Sequence, residues 1–278
     1  MKASDHQPWL QIDVDFADPS TAEHNTIVYL VPALRSAEES GLISSWFFIR
    51  KRQWRFRYLP ATSDSISGSM NLLHSAADDL VAADCATRWL DKVYEPEKYA
   101  FGGTAGMIIA HKLFHADSRH IFTFLDPYVG HAQVAGARRR ELSILLCAAL
   151  MRAAEQDWFE QGDIWASIAD DLRPVEIPAP AEKWEDFKSS VRRLITVDTA
   201  PSTVLRKSGL CFAHDWLSAF ESAGRALKGV CDDGLLVERG IRAVIAHNII
   251  FHWNRLGLPY QAQAAIASAA KDVIFNDA

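Results

Sequence analysis

The sequence has few cysteines and no long uncharged apolar run. Its 278 residues include four cysteines, and none of them forms a CxxC pair. Cysteines spaced this widely give neither a disulfide framework nor a zinc ribbon, so we expect a reducing, cytoplasmic location. No stretch reaches about 18 apolar residues, which predicts no membrane-spanning helix. Residues 1–18 lack the apolar core of a signal peptide.

Several motifs that would indicate a nucleotide-binding site or a hydrolase are also absent. There is no GxxxxGK[ST], no GxGxxG and no GxSxG, so the sequence does not support a P-loop, a Rossmann or an α/β-hydrolase function. The net charge of -6 argues against nonspecific nucleic-acid binding. His111 and His115 have zinc-like spacing without the general-base glutamate of a metalloprotease. We therefore predict no metal site.

The order of hydrophobic patterns predicts an α+β fold. Residues 9–16 alternate as a half-buried strand, and residues 45–59 read as a β-hairpin. Residues 62–69 show no periodicity and are predicted to be a polar loop, and helical patterns dominate from residue 71 onward. We predict an antiparallel or mixed sheet with this N-terminal hairpin, packed by several helices. The chain is predicted to be one domain, 1–278, with an internal linker at 174–180.

The second strand of the predicted hairpin has an aromatic face and an arginine face. Trp54, Phe56 and Tyr58 alternate with Arg55 and Arg57. A further arginine, at position 50, lies on the partner strand. Three guanidinium groups close together suit a carboxylate or a phosphate, through bidentate hydrogen bonds. The alternative interpretation is an ordinary solvent-exposed sheet face.

The helix near the C-terminus carries polar residues on its apolar side. Asn248 and His252 share the 3.6-residue spacing of the apolar residues between 241 and 249, and Arg255 lies about one turn further. Two interpretations follow. His252 is either a core histidine whose ring is hydrogen-bonded, or a proton-transfer group at the floor of a cleft.

Separated segments of the sequence form a recognisable series: WFFIR at 46–50, WRFR at 54–57, YEPE at 94–97, FGG at 101–103, LFHADS at 113–118, RELS at 140–143 and HWNR at 252–255. Together they resemble one family, the lantibiotic dehydratase C-terminal or thiopeptide-type bacteriocin biosynthesis domain. It implies modification of ribosomally made peptides without a metal or organic cofactor. As a fused domain the family eliminates glutamate from glutamylated Ser or Thr. Other members are eliminases of split dehydratases, or pyridine synthases that join two dehydroalanines and release the leader peptide.

The sequence departs from the family's eliminase pattern at two positions. Pro96 stands where that pattern has an arginine, and Ile250 stands where it has a histidine. The hairpin connection, residues 51–53, is also shorter than is usual in the family. These departures favour a formal [4+2] cycloaddition that forms the pyridine macrocycle of a thiopeptide. The alternatives are glutamate elimination as part of a split dehydratase, and a non-catalytic role in peptide binding.

The resemblance and the residue patterns together give a set of candidate site residues. The predicted catalytic residues are Tyr94, His252 and Arg57. The predicted substrate-binding residues are Arg50, Arg55, Tyr58, Asp117, Ser118, Asn254 and Arg255. The expected partners are a leader-bearing precursor peptide and a dehydratase or glutamylation protein, with no nucleic acid and no membrane.

Overall fold

A computed structural model describes residues 8–126, 132–175, 181–197 and 211–276. The chain divides into two compact units. The first comprises Met1–Pro96 and Ser118–Gly130, and the second comprises Glu97–Asp117 and His131–Ala278. The predicted α+β class is confirmed, while the single domain stays a prediction. Residues 176–180 of the predicted linker lie outside the described residues.

The first unit contains a four-stranded antiparallel sheet in the order β2–β3–β1–β4. Its elements are β1 (Leu10–Phe16), α1 (Ala22–Asn25), a π-helical segment (Thr26–Leu30), α2 (Val31–Glu39), β2 (Ile43–Ile49), β3 (Trp54–Pro60), α3 (Ser65–Ala82), β4 (Ala86–Val93) and the end of α4 (Thr104–Leu125). The predicted hairpin is confirmed as β2 and β3, which pair in antiparallel register.

One face of this sheet forms the hydrophobic core of the first unit. Ile12, Phe48 and Phe56 are fully buried there, and the Phe48 ring lies 4.5 Å from the ring of Phe122 on α4. Successive strand side chains point to opposite faces. The residues between these apolar ones, including Gln11 and Arg57, therefore lie on the other face.

The prediction of a polar loop at 62–69 is wrong over most of its length, because α3 begins at Ser65. The Ser65 hydroxyl accepts a hydrogen bond from the Thr62 backbone N–H at 2.8 Å and donates to the Thr62 carbonyl at 2.9 Å. Such local side-chain bonds order the start of a helix without any apolar periodicity, so the hydrophobic pattern misses it.

The second unit is helical in its described residues. Its elements are the first part of α4, α5 (Ala132–Ala153), α6 (Trp158–Ala166), a π-helical segment (Ser167–Leu172), α7 (Ala181–Ile195), a 3₁₀ turn (Cys211–Ala213), α8 (His214–Asp232), α9 (Ile241–Leu256) and α10 (Tyr260–Phe275). The described part of the chain has no helix with the length and apolar character needed to cross a bilayer.

Helices α5 and α8 approach each other closely at a glycine. A Cβ atom built on Gly224 would lie 2.4 Å from the Leu150 carbonyl oxygen and 2.8 Å from the Ala153 Cβ. Both distances are too short for a real contact, so a larger residue would push the helices apart. Gly229, on the same helix, has no such neighbour within 4 Å.

We predict opposite effects for alanine at these two glycines. Gly224→Ala should lower the free energy of unfolding by about 2 kcal/mol, because overpacking shifts backbone at the α5–α8 contact. Gly229→Ala should leave it unchanged or raise it by about 0.5 kcal/mol, because alanine favours a helix more than glycine does. Urea unfolding followed by circular dichroism measures both, and equal effects would contradict the packing described.

Candidate functional site

A row of polar side chains crosses from β3 to β1 on the sheet face opposite the core. Arg57 Nε donates to Gln11 Oε1 at 2.7 Å, and Gln11 Nε2 donates to Asp13 Oδ1 at 2.6 Å. Asp13 Oδ2 lies 3.7 Å from Arg55 Nε. We call these four residues the polar row. Arg57, Gln11 and Asp13 are at most 6% exposed, whereas the Arg55 side chain is 33% exposed, so a ligand reaches the row most readily at Arg55.

Aromatic rings cover the buried end of the polar row. The Arg57 guanidinium carbon lies 4.0 Å from the centre of the Tyr94 ring and 5.4 Å from that of Phe47. The Trp9 ring contacts both aromatic rings edge-on. A cation above an aromatic face is attracted to it, so Arg57 and Tyr94 hold each other in place. Tyr94 is half-buried and directly follows β4.

A second polar row lies further along β1. Gln53 Nε2 donates to Asp15 Oδ2 at 2.7 Å, and Arg88 Nε donates to the same oxygen at 2.8 Å. The hydrogen bond from Arg88, and then that from Gln53, hold the pKa of Asp15 below its ordinary value. This row has the same glutamine, aspartate and arginine composition, but it contacts no residue of the first row through the bonds described.

Arg50 does not join the other two arginines of the hairpin, which corrects the sequence prediction. Its guanidinium group forms an ion pair with Glu23 and lies 4.5 Å from the Trp54 ring centre. Residue 50 has the strand parity of Phe48, on the core side, so its side chain follows that face. The arginines of the polar face are therefore Arg55 and Arg57.

Tyr58 and Ser118 are buried within the first unit. Tyr58 is fully buried, and its hydroxyl has no hydrogen-bond partner within the described residues. Burial, aided by the charge of Asp91, raises the pKa of Tyr58. The Ser118 hydroxyl accepts a hydrogen bond from the Phe48 backbone N–H at 3.4 Å. Neither side chain is available to a substrate in this structure.

In the second unit, Asp117 is the centre of a fully buried ion cluster. Asp117 Oδ1 accepts hydrogen bonds from His252 Nδ1 at 2.9 Å and from Trp216 Nε1 at 2.9 Å. Asp117 Oδ2 accepts one from Arg255 Nε at 2.8 Å. The side chains of Asp117, His252 and Arg255 are all 0% exposed. The cluster joins α4, α8 and α9, which are distant in sequence.

In this cluster the partner charges oppose the pKa shifts that burial alone would cause. Burial alone would raise the pKa of Asp117, but the charges of His252 and Arg255 and their hydrogen bonds keep it below its ordinary value. Burial lowers the pKa of Arg255, and the Asp117 carboxylate opposes that shift. Of the two interpretations of His252, the structure matches a core histidine held by a hydrogen bond rather than a cleft-floor residue.

Another histidine of α9 lies nearer the surface. His247 Nε2 is 3.8 Å from Glu97 Oε2, and its side chain is 20% exposed. Its ring contacts the rings of Phe101 at 5.1 Å and Phe251 at 5.3 Å. Asn254, a predicted substrate contact, accepts a hydrogen bond from Gln263 Nε2 at 3.2 Å. Asn254 therefore joins α9 to α10.

The sequence prediction missed Gln11 and Asp13. The strand segment QIDVD at 11–15 does alternate polar and apolar residues, which identifies its polar side. The antiparallel register with β3, which sets Gln11 opposite Arg57 and Asp13 opposite Arg55, is not readable from either strand alone. Cross-strand pairing makes these four residues one site.

The described residues contain no group of three His, Cys, Asp or Glu side chains arranged to hold a metal ion. The Cys147 thiol is fully buried, and burial raises its pKa, which disfavours the reactive thiolate.

Comparison with protein families finds one whose model covers almost the whole chain. The model described as lantibiotic biosynthesis dehydratase C-term matches residues 9–274. Comparison with curated protein sequences finds no match.

Solved structures share the fold at low sequence identity. The tRNA-dependent lantibiotic dehydratase MibB from Microbispora sp. 107891 gives a TM-score of 0.72 at 15% identity, over 100% of this chain but 29% of that chain. TsrL gives 0.59 at 17% identity, over 96% and 97% of the two chains. TbtD, a pyridine synthase from thiomuracin biosynthesis, gives 0.62 at 12% identity, over 97% and 98%.

We predict that Asp117→Asn destabilises the protein in a pH-dependent way. At pH 7 the substitution should lower the free energy of unfolding by about 3 kcal/mol, because it leaves the buried Arg255 guanidinium unneutralised. The folded-state pKa of Asp117 is lowered, so its contribution is present above about pH 4 and is lost as the pH falls further. The difference between wild type and variant should therefore shrink below that pH.

Asp163→Asn is the matched control for this prediction. Asp163 pairs with Arg242 at 2.7 Å, but both side chains are at least half exposed. Exposed pairs contribute little, so we expect a change below about 1 kcal/mol. Urea unfolding at pH 7, 5 and 3.5 compares the two variants. A difference for Asp117→Asn that stays constant over this range would contradict the cluster's electrostatics.

Proposed function

The chain belongs to the lantibiotic biosynthesis dehydratase C-terminal family, and we propose that it modifies a ribosomally made precursor peptide carrying a leader segment. The reaction we propose is a formal [4+2] cycloaddition of two dehydroalanines, which forms the pyridine core of a thiopeptide and releases the leader. The likeness to TbtD, a pyridine synthase, supports this choice at the level of the fold. The expected partners are the precursor peptide and a dehydratase or glutamylation protein.

The burial of His252 is the observation that carries the choice of reaction. His252 is 0% exposed and its Nδ1 atom is bonded to Asp117, so a peptide meets no imidazole there. The sheet face instead offers the guanidinium of Arg55 and the phenol of Tyr94. Such groups suit a reaction that depends mainly on holding two alkenes in near-attack geometry and stabilising an amide oxygen.

The proposed roles account for each bond in ring formation. One dehydroalanine amide first tautomerises, so that its N–H bond breaks and an O–H bond forms. Arg55 stabilises the amide oxygen as negative charge develops, and Tyr94 relays the proton. Two new σ bonds then join the resulting azadiene to the second dehydroalanine, with the electrons of two π bonds. Water leaves from the former amide carbon and the leader leaves as its carboxamide, each taking a ring proton, which gives the aromatic pyridine. Arg57, predicted from the sequence as catalytic, acts behind Tyr94, because only 5% of it is exposed.

The alternative is glutamate elimination. The likeness to part of the dehydratase MibB favours it, although this chain corresponds to only 29% of that protein. Elimination would remove an α-proton and expel the glutamate carboxylate with its electron pair, leaving dehydroalanine or dehydrobutyrine. That reaction needs a stronger base than a phenol, which is why we rank it second.

Two synthetic forms of a leader-bearing precursor peptide distinguish these reactions. One form carries glutamylated serine, and the other carries two dehydroalanines. Mass spectrometry should show loss of the leader from the second form and no change in the first. Loss of glutamate mass from the first form, with the second untouched, would overturn ring formation in favour of elimination.

We predict that Arg55→Ala lowers kcat for the bis-dehydroalanine peptide about 100-fold, because an oxyanion loses its donor. Tyr94→Phe should lower it about tenfold or more, because the proton relay is lost. Arg88→Ala, an exposed strand arginine of the second row, is the control and should retain activity. Leader affinity, measured by fluorescence polarisation, should be unchanged in all three. Retained product with both site variants would support a non-catalytic, peptide-binding role.

A further inference from the structure

The polar row connects the buried guanidinium group of Arg57 to the partly exposed one of Arg55. The Gln11 amide and then the Asp13 carboxylate lie between them. Arg57 is 5% exposed and donates its Nε–H to the Gln11 carbonyl oxygen. The other end of the same amide donates to Asp13. Because Arg57 needs an acceptor and Asp13 needs a donor, the two fix the orientation of the glutamine between them.

This connection orients a carboxylate that is itself almost buried. Asp13 is 6% exposed, and a buried carboxylate requires hydrogen-bond donors or a cation nearby. Gln11 satisfies Oδ1, which leaves Oδ2 directed at Arg55, 3.7 Å away. Arg55 makes no hydrogen bond within the described residues, so this ion pair is what restrains its guanidinium.

The use of glutamine rather than glutamate has an electrostatic consequence. A carboxylate at position 11 would lie 2.6 Å from that of Asp13, and two like charges at such a distance repel strongly. The neutral Gln11 amide is held by Arg57 and in turn orients the Asp13 carboxylate, and it adds no charge to the row. The row therefore keeps two cations and one anion, and its net positive charge favours an anionic ligand.

We propose that Gln11 and Asp13 are positioning residues that hold the Arg55 guanidinium toward a carboxylate or developing oxyanion of the peptide. This inference rests on the proposed peptide modification and assigns its anion-binding group. Arg57 acts as the fixed end of the row, because the rings of Tyr94 and Phe47 cover it. The ion pair with Asp13, at 3.7 Å, restrains Arg55 without a hydrogen bond. The Arg55 guanidinium group therefore remains able to bind the substrate.

Substitutions in the two rows provide a matched test. Gln11→Met removes both amide hydrogen bonds at nearly constant volume, and Asp13→Asn removes the charge while keeping an oxygen acceptor for Gln11. Gln53→Met, which removes one amide hydrogen bond, and Asp15→Asn are the corresponding substitutions in the second row. We expect Gln11→Met and Asp13→Asn to lower kcat about tenfold or more, and the control pair to leave it within about twofold.

The direction of the Asp13→Asn effect separates positioning from simple competition. If Asp13 only competed with the substrate for Arg55, its neutralisation would lower KM and leave kcat unchanged or raised. Positioning requires the opposite result, a fall in kcat with a smaller change in KM. An unchanged or increased kcat/KM for Asp13→Asn would overturn the inference. Thermal unfolding of each variant checks that the fold is intact.

A measurement without turnover keeps this inference separate from the proposed function. In protein labelled with ¹⁵N-arginine, N-acetyl-L-glutamate is titrated while the Arg55 Nε–H signal is followed. We expect a saturable shift in wild type, the same shift in Gln53→Met, and about tenfold weaker binding in Gln11→Met. Equal binding in all three overturns the positioning role. If the wild-type protein acts on neither peptide but the three proteins still bind N-acetyl-L-glutamate in the expected order, only the proposed reactions are rejected.

Discussion

The strict alternation of side chains along β1 and β3 is the constraint on which the first unit depends. Even-numbered residues on these strands form the aromatic and aliphatic core, and odd-numbered residues, among them Gln11, Asp13, Asp15, Arg55 and Arg57, lie on the polar face. A shift of one residue in either strand would exchange these sets, burying arginine in the core and exposing phenylalanine. The core and the candidate site are therefore specified by the same pairing, and neither can change register without the other.

The two units contain buried carboxylates that are neutralised in different ways. Asp117 is surrounded by direct hydrogen bonds from His252, Arg255 and Trp216, which leaves a closed cluster suited to joining helices. Asp13 receives one bond from an amide and faces a cation at a longer distance. A carboxylate with both oxygens hydrogen-bonded mainly organises its surroundings, whereas a carboxylate that faces a cation at a longer distance leaves that cation able to bind a ligand. This contrast is why we assign structure to the first and ligand binding to the second.

Sequence patterns predicted what depends on local periodicity. The alternation in residues 54–58 correctly gave the hairpin and the separate faces for its aromatic residues and arginines. It could not give the ion pair of Arg50 with Glu23, because the two residues are 27 positions apart. The burial of His252 likewise depends on Asp117, 135 residues away. Polar residues on an apolar helix face are ambiguous until their distant partners are known.

The hydrogen bond between Ser118 and the Phe48 backbone has a consequence for self-association. Phe48 belongs to β2, one of the two edge strands of the sheet. The Ser118 hydroxyl accepts the hydrogen bond of a backbone N–H of that strand. The other edge strand, β4, carries the charged residues Arg88, Asp91 and Lys92. Unprotected edges recruit strands from other molecules, and both devices oppose such pairing. The sheet is thereby guarded against edge-to-edge aggregation at both of its borders.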